Sequence, residues 1–190
     1  MSAQPAVRRW TYDEFARLPN DGKRYEVVRG ELFVTPAPNP IHARVAARLT
    51  RVLDAFADDN GLGAVFTGQI DVLFGEGDYL EPDLIFVRHD RIDIMTDRGA
   101  EAAPDLVVEV LSPTTAMRDR HIKRERYAHF GVPEYWIVDP FTRRIEIYRL
   151  GAGSVAELEI ATDTFVWQPV ADGPTLTLNV VDLLRDFRPV

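Results

Sequence analysis

The stretch APDLVVEVLSPTT, residues 103–115, sets a glutamate in the middle of an apolar run. With Val107, Val108, Val110 and Leu111 around it, Glu109 sits in a strand with little room for an exposed face. Strand alternation places Val107, Glu109 and Leu111 on one side and Val108 and Val110 on the other. A carboxylate in such a strand is costly to desolvate unless it is paired, hydrogen-bonded or bound to a cation. One end of the side that carries Glu109 must therefore be polar or open.

Working outward, strand-like runs recur as AVFTG, QIDVLF, DLIFV and YWIVD, separated by Gly68 and the turn-rich GEGD, and these read with LVVEVL as a central sheet. RYEVVRGELFVT forms two β-rich halves about Arg29-Gly30, a hairpin signal, with Glu26 in its first strand. Thr11 to Glu14 has capping-box spacing and predicts a short helix over about 12–18, ended by Pro19. Asn39-Pro40 supplies an N-cap and an N1 proline. From there Ile41, Val45, Leu49, Val52, Leu53 and Phe56 follow at helical spacing up to Asn60-Gly61. A second helix spans MRDRHIKRERYAHF before Gly131 and Pro133; RRIEIYRL and TFVWQP alternate as strands, and VVDLLRDF closes the chain as a short helix. Tight turns join several strands, so the fold class expected is α/β (α+β) with a mixed sheet flanked by helices.

With 190 residues, 46% of them hydrophobic, the chain is expected to form a single domain over 1–190 with its own core. The absence of cysteine excludes disulfides and thiolate-bound metal, which leaves oxygen or histidine as metal donors. MSAQPAVRRW lacks the apolar core of a signal peptide, and no apolar run approaches the ~20 residues that span a bilayer, so a soluble, cytoplasmic protein is expected. A net charge of −8 argues against a uniformly basic surface for nucleic acid. A local basic patch remains compatible with it.

Three acids stand at or within strands: Glu26, Asp83 at the head of DLIFV, and Glu109. Carboxylates from neighbouring strands can converge at a sheet edge, where a hard cation such as Mg²⁺ makes the like charges tolerable. A lysine nearby, here Lys123 on the following helix, can then polarise a water or stabilise developing phosphorane charge. Each residue also has a plainer reading. A strand glutamate is ordinarily at the surface or in an ion pair, Asp83 after Pro82 can start a strand, and a helical lysine is ordinarily solvated.

Residues 116–130 hold five basic side chains, Arg118, Arg120, Lys123, Arg124 and Arg126, against Asp119 and Glu125, a net of +3. That concentration fits an anionic partner, a counterweight to the acids, or a solvated helix face. Asp119, Lys123 and Tyr127 recur every four residues and share a face. His42, in the first turn of the long helix, is a further candidate; capping or packing is its ordinary use.

Taken in order, YEVVRGEL, P-x-P-x-P-x-H opening a helix, EPDLIFV, APDLVVEVLSPTT, D-x-x-x-K-x-x-x-Y and GVPEYWIVDP resemble the Uma-type family of restriction-endonuclease-like proteins, within the PD-(D/E)XK nuclease superfamily. The likeness runs from about residue 10 to 150. It implies a restriction-endonuclease-like core, with Asp83 and Glu109 as Mg²⁺ (or Mn²⁺) ligands, Glu26 as an additional acid, and a metal-dependent endonuclease acting on nucleic acid, DNA in the first place. Leu111 stands where the superfamily lysine usually lies; in Uma-type sequences the lysine is displaced onto the next helix, the place of Lys123. Arg118, Arg120, Arg124 and Arg126 would then face nucleic acid, and a C2 homodimer would supply the two sites that duplex cleavage needs. Three other readings stand beside this one. They are an inactive nuclease-fold module that binds nucleic acid or a protein partner, a structural role with the acids neutralised by arginines, and a metal-dependent hydrolase of another phosphorylated substrate. No phosphate-cradling glycine loop, nucleophile elbow or histidine pair at metal-ligand spacing supports other hydrolase classes.

Overall fold

A computed structural model describes residues 9–75, 77–151 and 153–185. At the N-terminal side, α1 (Tyr12–Phe15) is fixed by the capping box expected of Thr11 and Glu14, with each side chain bonded to the other's backbone N–H. It is one turn long, shorter than the spacing predicts. Strands β1 (Arg24–Val28) and β2 (Glu31–Thr35) pair antiparallel across Arg29-Gly30. Both turn residues have positive φ, 54° and 83°, as a two-residue hairpin of matching twist requires.

Helix α2 (Pro40–Asp59) starts where Asn39 accepts a hydrogen bond from the His42 N–H and Pro40 occupies the first position. Seven short strands follow: β3 (Gly63–Thr67), β4 (Val72–Gly75), β5 (Asp78–Leu80), β6 (Leu84–Arg88), β7 (Met95–Thr96), β8 (Gly99–Ala100) and β9 (Leu106–Val110). The chain then passes through a π-helix, Arg118–Lys123, into α3 (Arg124–His129). Strands β10 (Glu134–Asp139), β11 (Arg144–Gly151), β12 (Ser154–Ala161), β13 (Thr164–Trp167) and β14 (Leu176–Asn179) precede α4 (Val180–Leu183). The end of the predicted VVDLLRDF helix lies outside the described residues.

These strands do not make one central sheet, and the sequence expectation is corrected there. One six-stranded sheet runs β12-β11-β10-β9-β6-β3, a second runs β2-β1-β5-β4-β8-β7, and among the described residues β13 and β14 form a two-stranded sheet. QIDVLF, expected in the central sheet, supplies β4 of the second. Period-two patterning says which side chains share a face but not which sheet a strand joins. The mixed α+β architecture expected from the sequence is otherwise present.

Strand β9 lies at the centre of the first sheet, antiparallel to β6 through Leu84–Val108 and parallel to β10 through Trp136–Val108. Both of its faces are covered. Val108 and Val110 pack with Val45, Leu49 and Leu53 of α2 and with Trp136 and Trp167, while Val107 and Leu111 pack on the other side with Tyr127, Val28 and Leu80. Truncating Leu49 or Leu53 to alanine would cost about 2–5 kcal/mol by loss of burial and cavity formation. The parallel step from β9 to β10 needs a long connection, and the π-helix and α3 provide it on the Glu109 side. Among the described residues no helix is long and apolar enough to cross a membrane.

Candidate active site

Glu109 points from β9 into the space between the two sheets and is 3% exposed. Its Oε1 accepts from the Lys123 ammonium at 2.5 Å and from the Tyr127 hydroxyl at 3.0 Å. The same ammonium lies 2.6 Å from Oε1 of Glu26, which reaches in from β1 in the second sheet. Asp119, one turn before Lys123, is 3.8 Å from it and also buried. Asp83, just ahead of β6, accepts on Oδ2 from the Val110 N–H at 2.6 Å and from His42 Nε2 at 2.9 Å. Its Oδ1 has the Arg24 guanidinium 2.5 Å away, out of hydrogen-bond alignment.

Apart from Tyr127, these groups border a cavity of about 230 Å³, which Pro36–Asn39 and Ser112–Thr115 also line. The structure thus brings together Glu26, Asp83, Glu109, Lys123, His42, Asp119, Tyr127 and Arg118. Glu26 comes from the opposite sheet, so the acids converge between two sheets instead of along one edge. The π-turn in which the Arg124 N–H donates to the Asp119 carbonyl, five residues back, lies directly beneath Lys123. Such insertions in helices are frequent at functional sites. The Tyr135 hydroxyl donates to the same Asp119 carbonyl.

The electrostatics follow from burial. Burial pushes Glu109 up, to about 8, against the pull of Lys123, and Asp119, Asp83 and Glu26 add to the rise. Burial works against the Lys123 charge, but Glu109, Glu26 and Asp119 outweigh it and hold the ammonium above its ordinary range. Two donors on one oxygen of Glu109 favour an ionised carboxylate facing a charged lysine, and that is the direction the geometry supports for the pair. Asp83 is held below its usual value: burial opposes its charge, while His42, Arg24 and the Val110 N–H favour it.

Most arginines of the basic helix have partners within the chain. Arg120 is engaged by Asp139 and Glu146, both at 2.8–2.9 Å, and Arg126 makes a two-pronged pair with Asp78. Arg124 lies over the Tyr148 ring. Of the four arginines, Arg118 alone reaches the cavity, bonded to Thr35 and 3.2 Å from Glu26. Charge counting along a helix cannot see partners 19 to 48 residues away. Arg24 was missed by sequence reasoning, although it stands two residues before Glu26 and so shares its face of β1.

The profile of the Uma2 family, described as "Putative restriction endonuclease", matches residues 12–180. The chain belongs to the Uma2 family. Among solved structures it is similar to a crystal structure of a putative nuclease belonging to DUF820 from Anabaena variabilis, with a TM-score of 0.75 and 21% identity over 92% of this chain and 97% of that one. That likeness establishes the fold. Comparison with curated proteins finds no match.

The Uma2 site can be tested for a divalent cation on its own donors. Among the described residues no three ligating side chains already stand in metal-binding geometry, and the carboxylates are held by the chain's own cations, Lys123 and Arg24. The donor set is nonetheless the right one: buried carboxylate oxygens, which suit Mg²⁺ or Mn²⁺, with Oδ1 of Asp83 buried and lacking an aligned hydrogen bond. The residues fit the group.

Proposed function

We propose that this chain is a divalent-metal-dependent endonuclease that hydrolyses phosphodiester bonds of nucleic acid, with DNA as substrate and Mg²⁺ or Mn²⁺ as cofactor. One observation carries the reading: in a chain of this family, Glu26, Glu109 and Asp119 converge on a single buried lysine at the wall of a cavity that Asp83 also lines. Asp83 and Glu109 would hold the cation. A bound divalent cation supplies counter-charge for the phosphate and makes a water more acidic.

The chain's own residues do the rest. Lys123, held between Glu26 and Glu109, is placed to orient the attacking water and to meet negative charge that develops on the phosphorus-bound oxygens. The water oxygen bonds to phosphorus as the bond to the leaving ester oxygen breaks; the water gives up one proton to solvent and the leaving oxygen takes one up from it. Glu26 aims the ammonium, and the Tyr127 hydroxyl fixes the Glu109 carboxylate. The whole chain is taken to act as one nuclease domain in the cytoplasm, paired as a C2 homodimer for duplex cleavage.

The test is calorimetric titration of Mg²⁺ and Mn²⁺ into the wild type and the Glu109→Gln variant, with plasmid nicking on the same samples. Metal binding and nicking by the wild type, both lost in the variant, are expected. A wild type that neither binds the ions nor nicks would overturn the reading.

A further inference from the structure

Three cations line the cavity, and they are tied in different ways. Lys123 is 2% exposed and locked by Glu26 and Glu109. Arg118 bonds Thr35 Oγ1, pairs with Glu26 and lies 5.1 Å from the centre of the Phe33 ring, so two of its ties involve no carboxylate. Arg24 is held by carboxylates: Oδ1 of Asp83 at 2.5 Å and Glu81 at 3.4 Å, with its side chain 17% exposed at the cavity wall.

The geometry around Asp83 makes this difference matter. Oδ2 is clamped by the Val110 N–H and His42 Nε2, both from rigid elements of the core. A cation that binds Asp83 must therefore come to Oδ1, the oxygen that Arg24 faces without an aligned hydrogen bond. A guanidinium and a divalent ion at one carboxylate oxygen repel each other strongly in a site this buried.

We propose that Arg24 is a phosphate-binding residue of this site: it neutralises Asp83 in the resting protein and passes to a non-bridging oxygen of the nucleic-acid phosphate when a divalent cation takes Oδ1. The inference rests on the metal-dependent nuclease reading above. Only ionic contacts are exchanged, and no covalent bond changes. The planar guanidinium fork suits the phosphate, and the incoming anion replaces the carboxylate that Arg24 gives up.

The experiment compares wild type with Arg24→Met and Arg24→Lys. Mn²⁺ affinity is read by calorimetry, and affinity for a short labelled DNA duplex by anisotropy in Ca²⁺ over a range of salt. Arg24→Met should bind Mn²⁺ more tightly, about tenfold, because a competing cation is gone. It should bind the duplex about tenfold more weakly, with a salt slope smaller by about 1. Arg24→Lys should keep the salt slope and recover only part of the duplex affinity. Thermal melts keep folding apart from binding, and if Arg24→Met does not fold, Arg24→Lys decides against the wild type: weaker duplex binding at an unchanged salt slope is expected, and unchanged duplex affinity overturns the role. Unchanged or weaker Mn²⁺ affinity, or unchanged duplex affinity, in a variant of a metal-binding wild type overturns the role of Arg24 alone. A wild type that takes up no Mn²⁺ overturns the nuclease reading and this inference together.

Discussion

The ammonium of Lys123 rests 2.5 Å from Oε1 of Glu109, and both side chains are buried. Fourteen residues and a change from strand to helix separate them in the chain. A buried charge without a partner is strongly unfavourable, so each of the two depends on the other. Replacing Lys123 by methionine should lower the stability of the metal-free protein by about 3–5 kcal/mol. Glu109 then takes up a proton, so Glu109→Gln/Lys123→Met should cost less than the sum of the single changes, by about 0.5–3 kcal/mol. Urea denaturation of the four proteins measures that coupling.

Two acids beside the cluster predict how stability varies with pH. Asp71 is pushed up to about 6 by burial and by Glu26. Glu81 is pushed up to about 7, first by burial, against the pull of Arg24, with Asp71 and Glu26 adding. Between about pH 4 and pH 7 the native state holds these protons while the unfolded chain releases them, so their contribution to stability falls as pH rises through that window. Thermal melts of Asp71→Asn/Glu81→Gln should show a flatter profile there than the wild type. An identical slope in both would contradict the assignment.

Arg120 and Arg126 serve the fold before they serve any ligand. Truncating either to alanine strips buried carboxylates, Asp139 and Glu146 or Asp78, of charged hydrogen bonds and should cost about 1.5–3 kcal/mol. Neither change should alter the salt dependence of nucleic-acid binding at temperatures where the variants remain folded. A slope reduced by about 1 in either variant would return that arginine to the interface.

On the metal-dependent reading proposed above, His42 acts through Asp83, 2.9 Å from its Nε2. Removing its Nε2 contact in His42→Ala leaves Oδ2 with the Val110 N–H as its remaining partner, and divalent-ion affinity should drop about 10–100-fold. His42→Gln, which can still donate, should recover part of the loss. Calorimetry on both variants separates this from unfolding, because the Asn39 cap on α2 bonds the backbone of residue 42 and survives either change.

Much of this was legible in the residues. The alternation in LVVEV sorts Val108 and Val110 from Val107, Glu109 and Leu111 as the two packed faces of β9 do, and Asn39-Pro40 marks the start of α2. Period and capping are local properties, and a sequence carries them openly. Sheet membership and ion pairing are not local. The assignment of β4 to the second sheet, the reach of Glu26 across from that sheet, and the pairing of Arg126 with Asp78 depend on contacts between distant segments. Arg24 shares its face of β1 with Glu26, but nothing in the spacing says that Asp83 waits opposite.

The cavity has one wall from each sheet: Glu26 and Arg24 on β1, Glu109 on β9, and Asp83 beside β6. On the reading proposed above, the first sheet and its β9–β10 connection carry Asp83, Glu109 and Lys123, while the second sheet supplies Glu26, which aims the ammonium. A partly folded chain with the first sheet made and the second not would leave Lys123 without the Glu26 half of its clamp. The aim of the ammonium would arrive only when the two sheets meet.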